Sequence, residues 1–451
     1  MSQSRNLVEI ATIALASARA AGASHADTVV VAHESHATSV RLGEVENVEL
    51  SRQKRLGLRC FVGKASAISS TADFSTDGLT LFAQDTVAMA RVLPEDPTAG
   101  LPEKAFLETA PPDLKLEDPE GFQPDGDAAI ETARACEAAA MEADPRISNS
   151  EGASFSASDN HIAYASSEGF SGSYHSNSHS LSVSPIANSA GSMQADYWWD
   201  SARRRRDLAA PEEIGRIAAA RTLRRLDARK LKTTRAPVIF EAPVAASLLG
   251  HLAGSVCGGS VYRRLSFLQD KLGEKIGSPL INIHDDGCLP GGPASKPFDA
   301  EGLPTRRTTI IENGCLKNFL LDSYSGRKLN RPATGSASRS IGSAPSASPT
   351  NFHLAPGTSP PEELLRGLSK GLLVTSLSGM GVNTITGDYS RGASGLWIEN
   401  GEIAYPVEEI TIAGNLLEMF HSIDAIANDL RVRSGIAAPS LRISEMTIAG
   451  S

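Results

Sequence analysis

The sequence predicts an α+β protein in two parts. The first, residues 1–232, is an N-terminal antiparallel sheet with helices, and the second, residues 233–451, is a β-rich antiparallel barrel or sandwich. Three observations carry this. Short runs of alternating polarity, broken by Gly or Ser, recur over 27–75 and 148–203, next to Ala-rich helical stretches. Near residue 232 the pattern changes to one strand, a glycine-spaced helix, then many short strands and turns. Two Asn-Gly pairs, Asn313-Gly314 and Asn400-Gly401, each sit between β-rich runs, which is the strongest short-range hairpin signal.

Along the chain, Leu7, Ile10, Ala14 and Ala18 fall on one helical face. Glu9 and Arg19 interrupt the apolar run, which reads as a first helix and not as a secretory leader. Residues 76–93 form a second helix with Ser75 or Thr76 as cap. The Pro- and acid-rich stretch 93–126 reads as a long exposed loop. Residues 125–144 and 210–232 are helical, the latter with Pro211 near its start. In the second part, helices are expected over 262–273 and 359–371.

The 451 residues carry a formal charge of -9, which argues against a large nucleic-acid surface. "ARRRR" (202–206) is a local exception, read as a solvated face. Five cysteines at 60, 136, 257, 288 and 315 form no CxxC pair, consistent with a reducing, cytoplasmic setting. No apolar run is long enough to span a membrane.

Several motifs invite chemistry and fail on spacing. His33 and His36 are three apart in a strand pattern, so they point to opposite faces. His175 and His179 share a strand face but lie about 13 Å apart, too far for one ion. Gly367-Leu368-Ser369-Lys370-Gly371 matches the nucleophile elbow, but helix precedes strand there, the reverse of what the motif needs. Cys257 ends a helix, where a thiolate is disfavoured. Two polar clusters survive as candidates for facing a substrate or partner: Asp299, Glu301 and Gly302, and Asp388, Tyr389, Ser390 and Arg391.

The stretches "SRQKRLGLRCFVGKASAISSTADFS", "PFDAEGLPTRRTTIIENGCLKNFLLDSYSGRKL", "SAPSASPTNFHLAPG" and "TGDYSRGASGLWIENGEIAYPVEEITIAGNL" resemble the TldD/PmbA family, also called the modulator-of-DNA-gyrase family. In that family, TldD-type chains bind a metal through HExxxH on a helix and a cysteine near the C-terminus. Here His251 matches the first histidine, but Leu252 and Val256 stand at the glutamate and second histidine, and no cysteine follows Cys315. The resemblance therefore implies the PmbA-type (TldE-type) branch, with no catalytic residue and no metal or other cofactor in this chain. It implies a cytoplasmic metalloprotease complex acting on unfolded peptides, with zinc in a TldD-like partner of a heterodimer, and with neither membrane nor direct nucleic-acid contact. His251 is then expected to be a hydrogen-bonded structural residue. Two alternatives stay open: a regulatory, gyrase-associated binding module, and a stand-alone hydrolase using Cys257 or an unrecognised serine.

Overall fold

In the computed structural model, which describes residues 6–122, 125–189 and 192–450, one long antiparallel sheet organises the N-terminal part. Its elements are α1 (Leu7–Ala20), β1 (His25–Arg41), β2 (Glu44–Val62), β3 (Ala65–Thr71), α2 (Thr76–Val92), α3 (Gly126–Met141), β4 (Ile147–Ser166), β5 (Ser171–Ser189), β6 (Ser192–Ala195), β7 (Trp198–Ala202) and α4 (Pro211–Leu223). The strands run β3-β2-β1-β4-β5-β6, with β7 also pairing to β5.

Alternation along β4 assigns the faces. Ala163 and Ala165 pack with Val30, Leu56 and Leu58 under α1 and α2. Ala153, Phe155 and Ala157, on the same face, pack under α3 and α4. Ile162 and Tyr164 point the other way, into a cluster with Phe170 and Phe298 that joins the two parts. The expected face of α1 is buried, with Ala11 added to it, and Ser75 caps α2 by accepting from the Gly78 amide at 3.1 Å.

The C-terminal part contains β8 (Thr234–Phe240), α5 (Ala242–Ser255), α6 (Gly258–Tyr262), β9 (Ile283–Asp286), β10 (Arg307–Glu312), β11 (Cys315–Leu316), α7 (Ser323–Lys328), β12 (Ala337–Ser338), β13 (Ser346–Ala347), β14 (Phe352–Leu354), β15 (Lys370–Ser378), β16 (Asp388–Glu399), β17 (Glu402–Asn415), α8 (Leu416–His421), β18 (Ile423–Ile426), β19 (Ile436–Ala437) and β20 (Leu441–Ala449). The order β17-β16-β15-β8-β20 closes into a five-stranded barrel through β17–β20 pairing. A second sheet, β11-β10-β9-β14-β19, lies in the same half. Both Asn-Gly hairpins form, with φ of 49° and 77° at 313–314 and 52° and 80° at 400–401, as a two-residue primed turn requires.

The structure departs from the sequence reading in five places. The barrel is mixed, because β8 and β15 pair in parallel after a long crossover. Helix α6 ends at Tyr262, the first residue of the segment expected to be helical. Arg264 is left-handed at φ 58°, and Ser266 ties its hydroxyl to the Ser255 carbonyl at 2.7 Å. Over 359–371 only a 3-10 turn forms, Pro361–Leu364, and the chain turns left-handed at Gly367. The 93–126 loop, whose residues 123–124 lie outside the described residues, is a strap: Leu107, Leu114 and Leu116 are buried. The arginines at 203–206 are not all solvated. Arg203 donates to the carbonyls of Asn177, Gly292 and Pro293, and Arg205 stacks on Phe155 at 5.1 Å. Among the described residues no helix is long and apolar enough to cross a membrane.

Candidate functional site

Helix α5 follows directly from barrel strand β8. Glu241 precedes it and is gripped by Arg221 and Arg224 from the end of α4. Leu248, Leu252 and Val256 point into the main apolar cluster, and the last two have no exposed surface at all. The glycine spacing matters only at its end. A Cβ on Gly258 would meet the Ser325 hydroxyl at 2.2 Å, whereas one on Gly254 would meet nothing within 4 Å.

His251 leaves α5 towards β16, where Tyr389 stands edge-on with its ring centroid 6.2 Å away. The structure thus joins His251 to the Asp388–Arg391 cluster. His251 is not hydrogen-bonded as expected: among the described residues, its Nε2 and the Tyr389 hydroxyl are both buried without a partner. Burial, then the charge of Arg391, lowers the His251 pKa, so its imidazole is neutral. Burial pushes the Tyr389 phenol up to about 12. Asp388 and Ser390 are exposed, Asp388 accepts from Thr386 at 2.6 Å, and Arg391 donates to the Ser378 carbonyl at 3.1 Å.

Asp299 and Glu301 are only 1% exposed, so in this chain neither carboxylate reaches a surface where a substrate or partner could meet it. Asp299 accepts from the amides of Glu301, Leu303 and Ala337 at 2.8–3.0 Å, and Glu301 accepts from the Ser323 amide at 2.8 Å. Gly302 is left-handed at φ 79°, with a Cβ there only 2.9 Å from Phe170. The turn is thus wedged against the N-terminal sheet. Burial, then the Asp299 charge, raises the Glu301 pKa to about 7. Beside it lies Asp27, opposite Arg59 in the β1–β2 register. Asp27 is paired to Arg59 and, at 2.8 Å, to Arg339 from the C-terminal part. Burial opposes the Asp27 carboxylate, but Arg339 and Arg59 outweigh it and hold its pKa below the ordinary value. This seam fastens the two parts together.

Cys257 lacks the electropositive, accessible setting that activates a thiol. Its thiol donates to the Ala253 carbonyl at 3.2 Å, and burial pushes its pKa up to about 12.

The sequence reading missed Asp159 and His161. Among the described residues, the one group of three His, Cys, Asp or Glu side chains whose ligand atoms lie within 4.8 Å of each other is Asp159, His161 and His175. His161 and His175 are register partners across β4 and β5. The only signal was strand pairing between residues 14 apart, which spacing within one strand does not show.

Three family models cover most of the chain: the PmbA/TldA metallopeptidase domain 1 over residues 26–90, its central domain over 119–226 and its C-terminal domain over 233–450. The chain belongs to the PmbA/TldA metallopeptidase family. It is 43% identical to the metalloprotease PmbA of Escherichia coli O157:H7, over 91% of this chain and 89% of that one. It is 38% identical to the metalloprotease PmbA homologue of Haemophilus influenzae, over 100% and 97%. A crystal structure from Bacteroides thetaiotaomicron, described as a candidate modulator of DNA gyrase, matches with TM-score 0.90 at 27% identity, covering 98% of each chain.

For a metallopeptidase, the donor set at α5 does not fit a metal ion. His251 is the one His, Cys, Asp or Glu side chain on the helix, and a protein metal site needs about three ligands. Leu252 and Val256 are committed to the core, and the neighbouring Cys257 is hydrogen-bonded as a neutral thiol.

Proposed function

We propose that this chain is the PmbA-type, non-catalytic subunit of a cytoplasmic two-chain metalloprotease acting on unfolded peptides. Its partner is a TldD-like homologue that carries the zinc and the catalytic carboxylate. The observation that carries this reading is α5: one imidazole where hydrolysis needs several ligands and a base. The relatives support it, because metalloprotease TldD homologues, such as that of Buchnera aphidicola at 27% identity over 58% of this chain, share the family.

The chain then completes a chamber and holds extended peptide. Strand β3 covers β2 only at Leu56–Val62, so among the described residues β2 offers a free edge over 44–55, on which Val48 and Leu50 are about half exposed. Such an edge accepts an added strand. Asp388, Ser390 and Arg391, near His251, are the polar groups placed to meet substrate or partner.

The test is cleavage of an unfolded peptide by the chain alone, by a TldD-like homologue alone, and by both. Chelator-sensitive cleavage only with the partner present, and enhanced by this chain, is expected. Chelator-sensitive cleavage by this chain alone overturns the reading, as does a pull-down that recovers gyrase and no TldD-like chain.

A further inference from the structure

On the helix-covered face of the N-terminal sheet, α1 and α2 cover one end and α3 and α4 the other. Asp159, His161 and His175 lie on that face in the gap between them. His161 and His175 are directly opposite in register, and Asp159 shares the face two residues earlier. The imidazoles stack with centroids 3.8 Å apart and planes 12° from parallel. Each Nε2 meets a different oxygen of Asp159: His161 at 3.1 Å, His175 closer.

We propose that Asp159, His161 and His175 hold one divalent transition-metal ion of the zinc class. Bonds of about 2.0–2.2 Å put the donors of a tetrahedral ion about 3.3 Å apart. The donors here already lie within 4.8 Å of each other, so small side-chain rotations converge them. Two imidazoles and one carboxylate select zinc, cobalt or nickel over magnesium or calcium.

The surroundings are those of a built site. Glu117 meets His175 Nδ1 at 3.1 Å, which fixes the tautomer whose Nε2 lone pair faces an ion. Asn177 donates to Asp159 at 2.6 Å. Glu117 is itself held in place: its neighbour Leu116 accepts from the Asn177 amide at 3.0 Å, and the Asp118 amide donates to the Asn177 side chain at 2.8 Å. A cavity of about 500 Å³ opens beside Asp159 and His161, leaving room for a further ligand. Its cations are engaged elsewhere, Arg52 with Glu34 at 2.8 Å and Lys54 over the Phe74 ring. The ion ties β4, β5 and the strap together where no helix covers the sheet.

The experiment uses the full chain, stripped with chelator, incubated with zinc chloride or cobalt chloride and desalted. One equivalent of zinc per chain is expected, with visible cobalt ligand-field bands. His161→Ala and His175→Ala should each weaken zinc binding about tenfold or more and abolish the bands. His251→Ala should change neither. No retained zinc, retention unchanged in both variants, or loss in His251→Ala overturns the proposal. The His161 side chain is half exposed, so His161→Ala should melt with the parent in chelator. His175→Ala supplies the same readout independently. Because this ion is not the catalytic one, His161→Ala should still enhance cleavage by the TldD-like partner.

Discussion

Helix α5 carries one half-buried imidazole, edge-on to Tyr389 beside the apolar core. The middle of the N-terminal sheet carries two imidazoles and a carboxylate on one face, between two pairs of helices and beside an open cavity. The first region sits where a resemblance to metal-binding helices draws attention. The second belongs to no motif. What separates them is convergence: Leu248, Leu252 and Val256 around His251 are spent on packing, whereas β4 and β5 aim three donors at one point.

The largest effect should come from forcing α5 into the second region's chemistry. Leu252→Glu combined with Val256→His buries two polar groups in a packed core, and urea denaturation should show a loss of about 4 kcal/mol or more relative to the parent, the same with zinc present as in chelator. A gain on adding zinc larger than the parent's would break the contrast. Leu252→Ala alone should cost about 3 kcal/mol by the same measurement, as expected for a fully buried leucine; a ligand-bearing face would lose far less. Tyr389→Phe removes a buried hydroxyl that has no partner, so denaturation should find it neutral or up to about 1 kcal/mol more stable. On the sheet, His161→Ala in the presence of chelator should stay within about 0.5 kcal/mol of the parent, since its ring is half solvated. The smallest effect is on acid sensitivity. The folded-state pKa of His251 is depressed, so the unfolded chain takes up that proton first as pH falls below about 6.5. Stability is therefore lost on the acid side, and His251→Gln should flatten that slope in melting curves taken from pH 7 to pH 5.

The faces of the N-terminal helices, the hairpins and the fold class were legible, because each depends on residues within a few positions of one another, although the helices expected over 262–273 and 359–371 do not form. Ile10, Ala14 and Ala18 declare the buried side of α1, and Asn400-Gly401 declares its turn. The absent ligands of α5 were equally local, at His251, Leu252 and Val256. What escaped was set by partners far along the chain. The strap at 93–126 looks solvent-bound until its leucines find the sheet. Asp299 and Glu301 look like a polar turn, but Phe170, Tyr164 and Ser323 press that turn inward. The Asp159 cluster needs the register of two strands, and the neutral, unbonded state of His251 needs the position of Tyr389. Single-strand spacing correctly excluded His175 and His179 as a pair, yet it could not reveal that His175 has a closer neighbour on the next strand.

The barrel closure has a consequence for synthesis. Strand β8 lies between β15 and β20, and Phe240 pairs with Leu441, about 200 residues later. At typical translation rates of about 5–20 residues per second, β8 and the apolar face of α5 wait some 10–40 s for that partner. During that wait the N-terminal sheet, complete by residue 202, can already have folded, while Val238, Phe240 and Leu252 remain uncovered. The C-terminal half is thus the part most dependent on chaperones during translation, and a ribosome stalled before β20 would leave an open, aggregation-prone sheet edge attached to a finished domain.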